Sequence, residues 1–215
     1  MRPRRPPLTP DTLDRLAWDK MGGLLPALVQ DAESGRALML GYMNPDALRL
    51  TLDTGRATFW SRSKARLWTK GETSGHHLAV ESVHADCDDD ALLVLANPAG
   101  PTCHTGATAC WDAEPTGPGW LADLAAIVAE RAGADPETSY TARLLSSGTT
   151  RVAQKVGEEG VELALACATG DRDGAVGEAA DLLFHLTVLM RASDFGWDEV
   201  IGELQKRHQE HVRPE

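Results

Sequence analysis

The sequence predicts two domains in tandem, an α+β domain with a mainly antiparallel sheet followed by an all-α helical bundle. Three observations point that way. Apolar runs of strand length dominate as far as Trp111 and are absent beyond it; residues 112–119 concentrate proline and glycine; and long segments of helical spacing, each ended by a glycine, fill the remainder. At 215 residues the chain has room for two compact domains of roughly 100 residues each.

Taken in order, residues 1–17 form a basic, proline-rich leader without the apolar core of a secretory signal, read as a short disordered lead-in. The domain of residues 18–111 begins with LLPALVQD and RALMLGYM, two apolar runs joined by AESG, which suggest a β-hairpin. A short helix follows, with Asn44 as its N-cap, Pro45 at its first position and Gly55 as its stop. ATFWSRS, RLWTKG, HHLAVESVHADC and ALLVLANP then read as further strands. Residues 112–119 are the linker. The second domain, residues 120–211, should hold helices at about 120–132, 149–169, 172–193 and 197–211.

Net charge is −11, divided as 12 basic against 15 acidic residues up to Pro115 and 9 against 17 beyond it. So acidic a surface argues against nucleic-acid binding, which depends on Lys and Arg neutralising phosphates. No apolar run approaches the length of a membrane span, so the expected location is the cytoplasm. A small phosphorylated ligand stays compatible, provided a divalent cation supplies the missing positive charge.

HADCDDD sets Asp86, Asp88 and Asp90 around Cys87, and PTCHTGATAC sets Cys103 and Cys110 seven positions apart, with His104 beside the first. If residues 84–90 are extended, the three aspartates project to one face and Cys87 to the other. Carboxylates suit magnesium, thiolates zinc. Three thiolates leave zinc a fourth position for water, as catalytic sites do. Two plainer readings stand beside this one: aspartates capping a turn with cysteines in the core, or a closed structural zinc site with His104 as fourth ligand. The preferred role of His104 is proton carrier. Cytidine-deaminase spacing is absent.

FWSRSKARLWTKGETSGHHLAVESVHADCDDDALLVL, followed by GPTCHTGATACW, resembles phosphoribosyl-AMP cyclohydrolase of histidine biosynthesis over about residues 18–111. The resemblance implies magnesium on Asp86, Asp88 and Asp90, and zinc on Cys87, Cys103 and Cys110, with Cys87 contributed across a homodimer interface. It also implies hydrolytic opening of the adenine ring between N1 and C6. Trp111 stands where that family usually has phenylalanine. In TKGETSGHH, Lys70, Thr73 and Ser74 are donors suited to phosphate, or else a hairpin turn. Trp60, Trp68, His76, His77 and His84 read as structural.

In the second half, KVGEEGVELALA carries Glu158, Glu159 and Glu162, and EAADLLFHL carries Glu178 and Asp181. Spacings of three and four residues let Glu158 and Glu162 face Glu178 and Asp181 across an antiparallel helix pair. Carboxylates gathered near an apolar core repel one another unless a cation neutralises them, although a solvated acidic face explains the same residues. Val152, Val156, Leu163 and Ala166 with Leu182, Leu183, Leu186 and Leu189 would form the core, with Cys167 and His185 inside it. Arg151 and Lys155, next to the loop Ser146–Thr149, could bind phosphate at a helix N-terminus. The E-E-x-x-E and E-x-x-D pattern resembles the all-α nucleotide pyrophosphohydrolases, and SYTARLLSSGTTRVAQKVGEEGVELALA before EAADLLFHLTVLM resembles phosphoribosyl-ATP pyrophosphohydrolase over about residues 120–210. That implies a helical domain of the nucleotide-pyrophosphohydrolase type, with magnesium on these carboxylates and Glu158, Glu159 and Glu162 in catalysis. Together the two resemblances imply a bifunctional histidine-biosynthesis enzyme acting on phosphoribosyl-adenine nucleotides. The alternative is a broad nucleoside triphosphate pyrophosphohydrolase with a structural zinc domain.

Overall fold

The computed structural model describes residues 5–111, 113 and 117–212, with side chains as far as Gln209. The chain divides into two compact units, one up to Thr116 and one from Gly117 onward.

The first unit is built on a four-stranded sheet in the order β2-β1-β6-β5, formed by β1 (Leu25–Asp31), β2 (Ala37–Met43), β5 (Leu78–Ala85) and β6 (Leu92–Pro98). The central β1–β6 pair is parallel and its neighbours are antiparallel. Strands β3 (Thr58–Ser61) and β4 (Arg66–Thr69) form a separate antiparallel hairpin. Alternation explains the core: Leu25, Ala27 and Val29 of β1 are buried on one face, together with Leu92, Val94 and Ala96 of β6. The β1–β2 turn closes because the Asp31 carboxylate accepts from the amides of Glu33 (2.9 Å) and Ser34 (2.8 Å). Helix α1 (Pro45–Thr54) begins and ends as its sequence signals require, with Asn44 Oδ1 accepting from the Ala47 amide at 2.9 Å and Gly55 left-handed.

Two expectations fail in this unit. The leader is not a disordered lead-in: Leu8, Leu13 and Leu16 are buried in the core, and the Leu8 amide donates to the Val83 carbonyl at 2.7 Å. A 3-10 helix over Pro10–Arg15 carries Leu13, and Leu8 and Leu16 flank it in the same buried core. Basic and proline-rich composition drew attention away from that spacing; Met1–Arg4 lie outside the described residues. Residues 84–90 are not one extended strand either, because β5 ends at Ala85 and the chain turns, with Asp89 left-handed at φ 62°.

The second unit comprises α2 (Trp120–Arg131), α3 (Tyr140–Ser146), α4 (Thr149–Thr169), α5 (Arg172–Ala192) and α6 (Trp197–Val212). Gly170, left-handed, ends α4, and Asp171 caps α5 by accepting from the Gly174 amide, so the two long helices run antiparallel. Sequence reading missed α3, a single short helix capped by Ser139. The core gathers at one end of the hairpin, where Val128, Leu144, Val152 and Val188 are buried against Leu124, Leu145, Phe184 and Leu189. Of the expected core only Val152 and Leu189 belong to it. Leu183 is exposed, as are Val161, Leu165 and Val176 on the remaining length of α4 and α5. Cys167 is exposed as well, a correction to its placement in the core. Among the described residues no helix is long and apolar enough to cross a membrane.

Candidate metal centres

The turn after β5 brings Asp86, Asp88 and Asp90 together, with one carboxylate oxygen from each within 4.8 Å of the others. A tight turn gathers them, where strand alternation had been expected to. Asp86 Oδ1 accepts from the amides of Asp90 (3.0 Å) and Ala91 (3.2 Å), which makes it both a turn cap and a member of the cluster. Three hard oxygen donors suit a divalent cation of the magnesium class. The ammonium of Lys20 lies on Asp88 and Asp90, and this pairing raises the lysine pKa and lowers that of Asp88. Arg5 ties the same turn from outside, donating to the carbonyls of Asp86 (2.9 Å) and Cys87 (3.1 Å) and to Asp89 (2.7 Å). Neither Lys20 nor Arg5 had been singled out; a positive charge near an aspartate run in sequence gives no hint of contact across 68 residues.

Cys103 and Cys110 come together, whereas Cys87 is exposed on the aspartate turn beside Asp88. Gly106, left-handed at φ 88°, closes the loop that returns the chain from Cys103 to Cys110. The hydroxyl of Thr105 donates to Cys103 Sγ at 3.1 Å and pulls that thiol's pKa down. Burial pushes the Cys110 thiol up, and the neighbouring Cys103 pushes it further. His104 Nδ1 sits 3.8 Å from Cys103 Sγ. Two thiols within one chain are too few for a tetrahedral zinc site, so these donors fit zinc only with a third from elsewhere. Lys70 is close enough for its charge to act on Cys110. Its loop is held by Gly71, left-handed, whose missing side chain leaves room for the His76 backbone 2.5 Å from the Cβ position. Thr73 and Ser74 are exposed on that loop.

In the second unit the convergent carboxylates are Glu159, Glu178 and Asp181, again within 4.8 Å. Glu158 was expected to face α5 but turns along its own helix, where it accepts from Lys155 (2.9 Å) and Gln154 (2.7 Å) and lies 3.9 Å from Arg151. Glu162 is exposed at the edge of the cluster, near enough for its charge to raise the Glu178 pKa. Burial is the larger cause of that rise, with Glu159 and Asp181 adding to it. The donors fit a divalent cation, since three carboxylates share too little counter-charge. Glu159 is buried, and Lys155 Nζ, 2.8 Å from its Oε1, holds its pKa down. Lys155 and Arg151 also line a groove with Tyr140, Arg143, Leu144 and Ser147, so the cations expected to take phosphate stand beside the acidic cluster. His185 is buried as expected, yet it reaches Glu159 at 3.5 Å.

Comparison with known proteins bears on both units. Residues 39–112 match the phosphoribosyl-AMP cyclohydrolase family, and residues 121–208 match the phosphoribosyl-ATP pyrophosphohydrolase family. The chain is 54% identical over 198 residues to the histidine biosynthesis bifunctional protein HisIE of Vibrio cholerae, which covers 91% of this chain and 94% of that protein. It is 55% identical over 202 residues to the protein of the same name from Salmonella typhimurium, and 55% over 204 residues to that from Escherichia coli K12. Each of these two alignments covers 94% of this chain and 100% of the relative.

Proposed function

The chain belongs to the bifunctional histidine-biosynthesis family that joins a phosphoribosyl-AMP cyclohydrolase to a phosphoribosyl-ATP pyrophosphohydrolase, and from that premise we propose which residues carry each step. Its substrates are phosphoribosyl nucleotides. The second unit releases pyrophosphate from phosphoribosyl-ATP, and the first opens the adenine ring of the resulting phosphoribosyl-AMP. A cyclohydrolase match in the first unit removes the ground for a broad nucleotide hydrolase carrying only a structural zinc domain.

For pyrophosphate release, the supporting observation is the convergence of Glu159, Glu178 and Asp181 across α4 and α5, next to a groove lined by Arg151 and Lys155. We assign these three carboxylates, with Glu162 at their edge, to magnesium. Magnesium held there would screen phosphate charge and acidify water. Arg151 and Lys155 hold the polyphosphate, and Glu158 orients both cations through its own contacts with them. Among these carboxylates Glu158 and Glu159 are the candidates to take the proton from the attacking water.

For ring opening, Cys103 and Cys110 with Cys87 of a second copy would hold zinc, and Asp86, Asp88 and Asp90 magnesium. Zinc so held would supply an activated water. His104, beside Cys103, would carry a proton to or from the ring nitrogen. Lys70, Thr73 and Ser74 would bind the substrate's phosphate. The working form is then a homodimer, and the proposed location the cytoplasm. The proposed catalytic domains are residues 18–111 and 120–211, joined by residues 112–119; Asp112 and Glu114–Thr116 lie outside the described residues.

Two substitutions test the assignment. Cys103→Ala should abolish ring opening of phosphoribosyl-AMP and leave pyrophosphate release intact, and Glu159→Gln should do the reverse. Loss of pyrophosphate release in Cys103→Ala, without a change in folding, would refute two independent sites.

A further inference from the structure

Behind Glu159 lies a short chain of side chains to which no role has been given, although its first member, Tyr140, also lines the groove beside Arg151 and Lys155. Tyr140, at the start of α3, places its Oη 3.0 Å from His185 Nε2. His185, on α5, places its Nδ1 3.5 Å from Glu159 Oε1. The ring of His185 is 5% exposed, and its Nδ1 has no hydrogen-bond partner at the present separation. Phe184 fixes both rings, stacking with Tyr140 at 6.0 Å and meeting the edge of His185 at 5.2 Å. A buried ring nitrogen left unpaired is costly and calls for a reason.

The neutral imidazole has two tautomers. With hydrogen on Nε2, the Nδ1 lone pair would confront a carboxylate oxygen in a buried setting. With hydrogen on Nδ1, Nε2 accepts from the Tyr140 hydroxyl and Nδ1–H points at Glu159. Electrostatics selects the second.

We propose that Tyr140 and His185 are positioning residues for Glu159: Tyr140 fixes the tautomer of His185, and His185 Nδ1–H holds the carboxylate in the orientation that a divalent cation shared with Glu178 and Asp181 requires. This rests on reading that cluster as a metal site. Lys155 occupies the same Oε1 at 2.8 Å and reaches Glu158 at 2.9 Å. A divalent cation repels an ammonium, so a metal held by these carboxylates would favour Lys155 in the groove it lines with Arg143, Arg151 and Ser147 over its place on Glu159. A neutral imidazole meets no such repulsion, so His185 can stay. It closes the remaining few tenths of an ångström and becomes the donor that stays, while Lys155 turns to phosphate.

The test uses the full-length protein, with Mn2+ as the probe. Binding is followed by the spin-resonance signal of free Mn2+, and the class of sites lost in Glu159→Gln is the one read. Tyr140→Phe and His185→Leu should each weaken that class by roughly 10- to 100-fold, the range known for outer-shell partners of metal ligands. His185→Asn, whose amide nitrogen overlies Nδ1, should recover most of the loss, and ring opening of phosphoribosyl-AMP should be unchanged throughout. Native Mn2+ affinity in both Tyr140→Phe and His185→Leu overturns the proposal. Should His185→Leu also impair ring opening, Tyr140→Phe decides, since it removes only a hydroxyl, and unchanged affinity there overturns the proposal equally. If Glu159→Gln itself leaves Mn2+ binding intact, the metal reading of the cluster fails first, and recognisably so.

Discussion

Glu178 ionises against its surroundings. Its pKa is raised by burial first and then by Glu162, Glu159 and Asp181, so the folded chain holds that proton more tightly than the unfolded chain does. The sign follows: the Glu178 contribution to stability grows as pH falls through the raised value and is lost as the carboxyl ionises. Glu158 and Glu159 run the other way. Hydrogen bonds from Lys155 lower both, so their contribution is present above the ordinary carboxylate range and is lost as pH falls through the lowered values. Glu178→Gln should therefore raise the melting temperature of the metal-free second unit at pH 7 and cancel the rise that added Mg2+ gives the native protein. Calorimetry with and without Mg2+ reads both effects; a variant that melts lower without metal would contradict the account. The same residue shows what spacing can and cannot tell. Helical periodicity placed Glu178 and Asp181 on one face, and the structure agrees, but it set Glu158 and Glu162 against them, where the structure brings Glu159 to them and leaves Glu162 at the edge. That choice is made by Lys155 and Arg151 drawing Glu158 along its own helix.

Among the elements, β2 is pinned to β3 by an absence. A Cβ on Gly41 would stand 2.3 Å from the Phe59 ring, and Phe59 is fully buried. Gly41→Ala must push one of the two aside, an overpacking that costs about 1–3 kcal/mol. The expected result is a lower unfolding midpoint for the first unit with unchanged pyrophosphate release; equal destabilisation of both units would count against it. Strands and long helices were legible because alternation and 3.6-residue spacing are periodic signals, and both appear at their expected positions. The aspartate segment was legible only as two competing readings, an extended run or a turn capped by aspartate, and the structure takes the second, with Asp86 as the cap. What ends the strand is the turn through the left-handed Asp89, a conformation that aspartate adopts more readily than most residues. The leader was misread because its three buried leucines, one inside a 3-10 helix and one on either side of it, follow no strand or α-helical period. His185 was read correctly as buried and incompletely as inert.

At the scale of the whole molecule, Cys87 is the residue that does not close. It sits on the aspartate turn, apart from the Cys103–Cys110 pair, so the proposed zinc site needs a second copy of the chain. Co-expressing Cys87→Ala with Cys103→Ala chains, each inactive alone in ring opening, should restore about a quarter of native activity. Random pairing makes half the dimers mixed, and each mixed dimer holds one intact site of two. Purified complexes carrying both tags report it directly; no recovery would mean that all three cysteines act within one chain. The exposed Val161, Leu165 and Val176 on α4 and α5 offer the second unit an apolar surface for the same association.

Lys20 gives the aspartate turn a further property. Its ammonium already lies where a divalent cation would neutralise Asp88 and Asp90. Metal uptake on that turn, as proposed, would thus be an exchange of one counter-ion for another, with the outgoing ion tethered to the chain. Such a tether works at a fixed local concentration whatever the cell contains. It would therefore set the free-metal concentration below which the turn keeps its lysine-filled form.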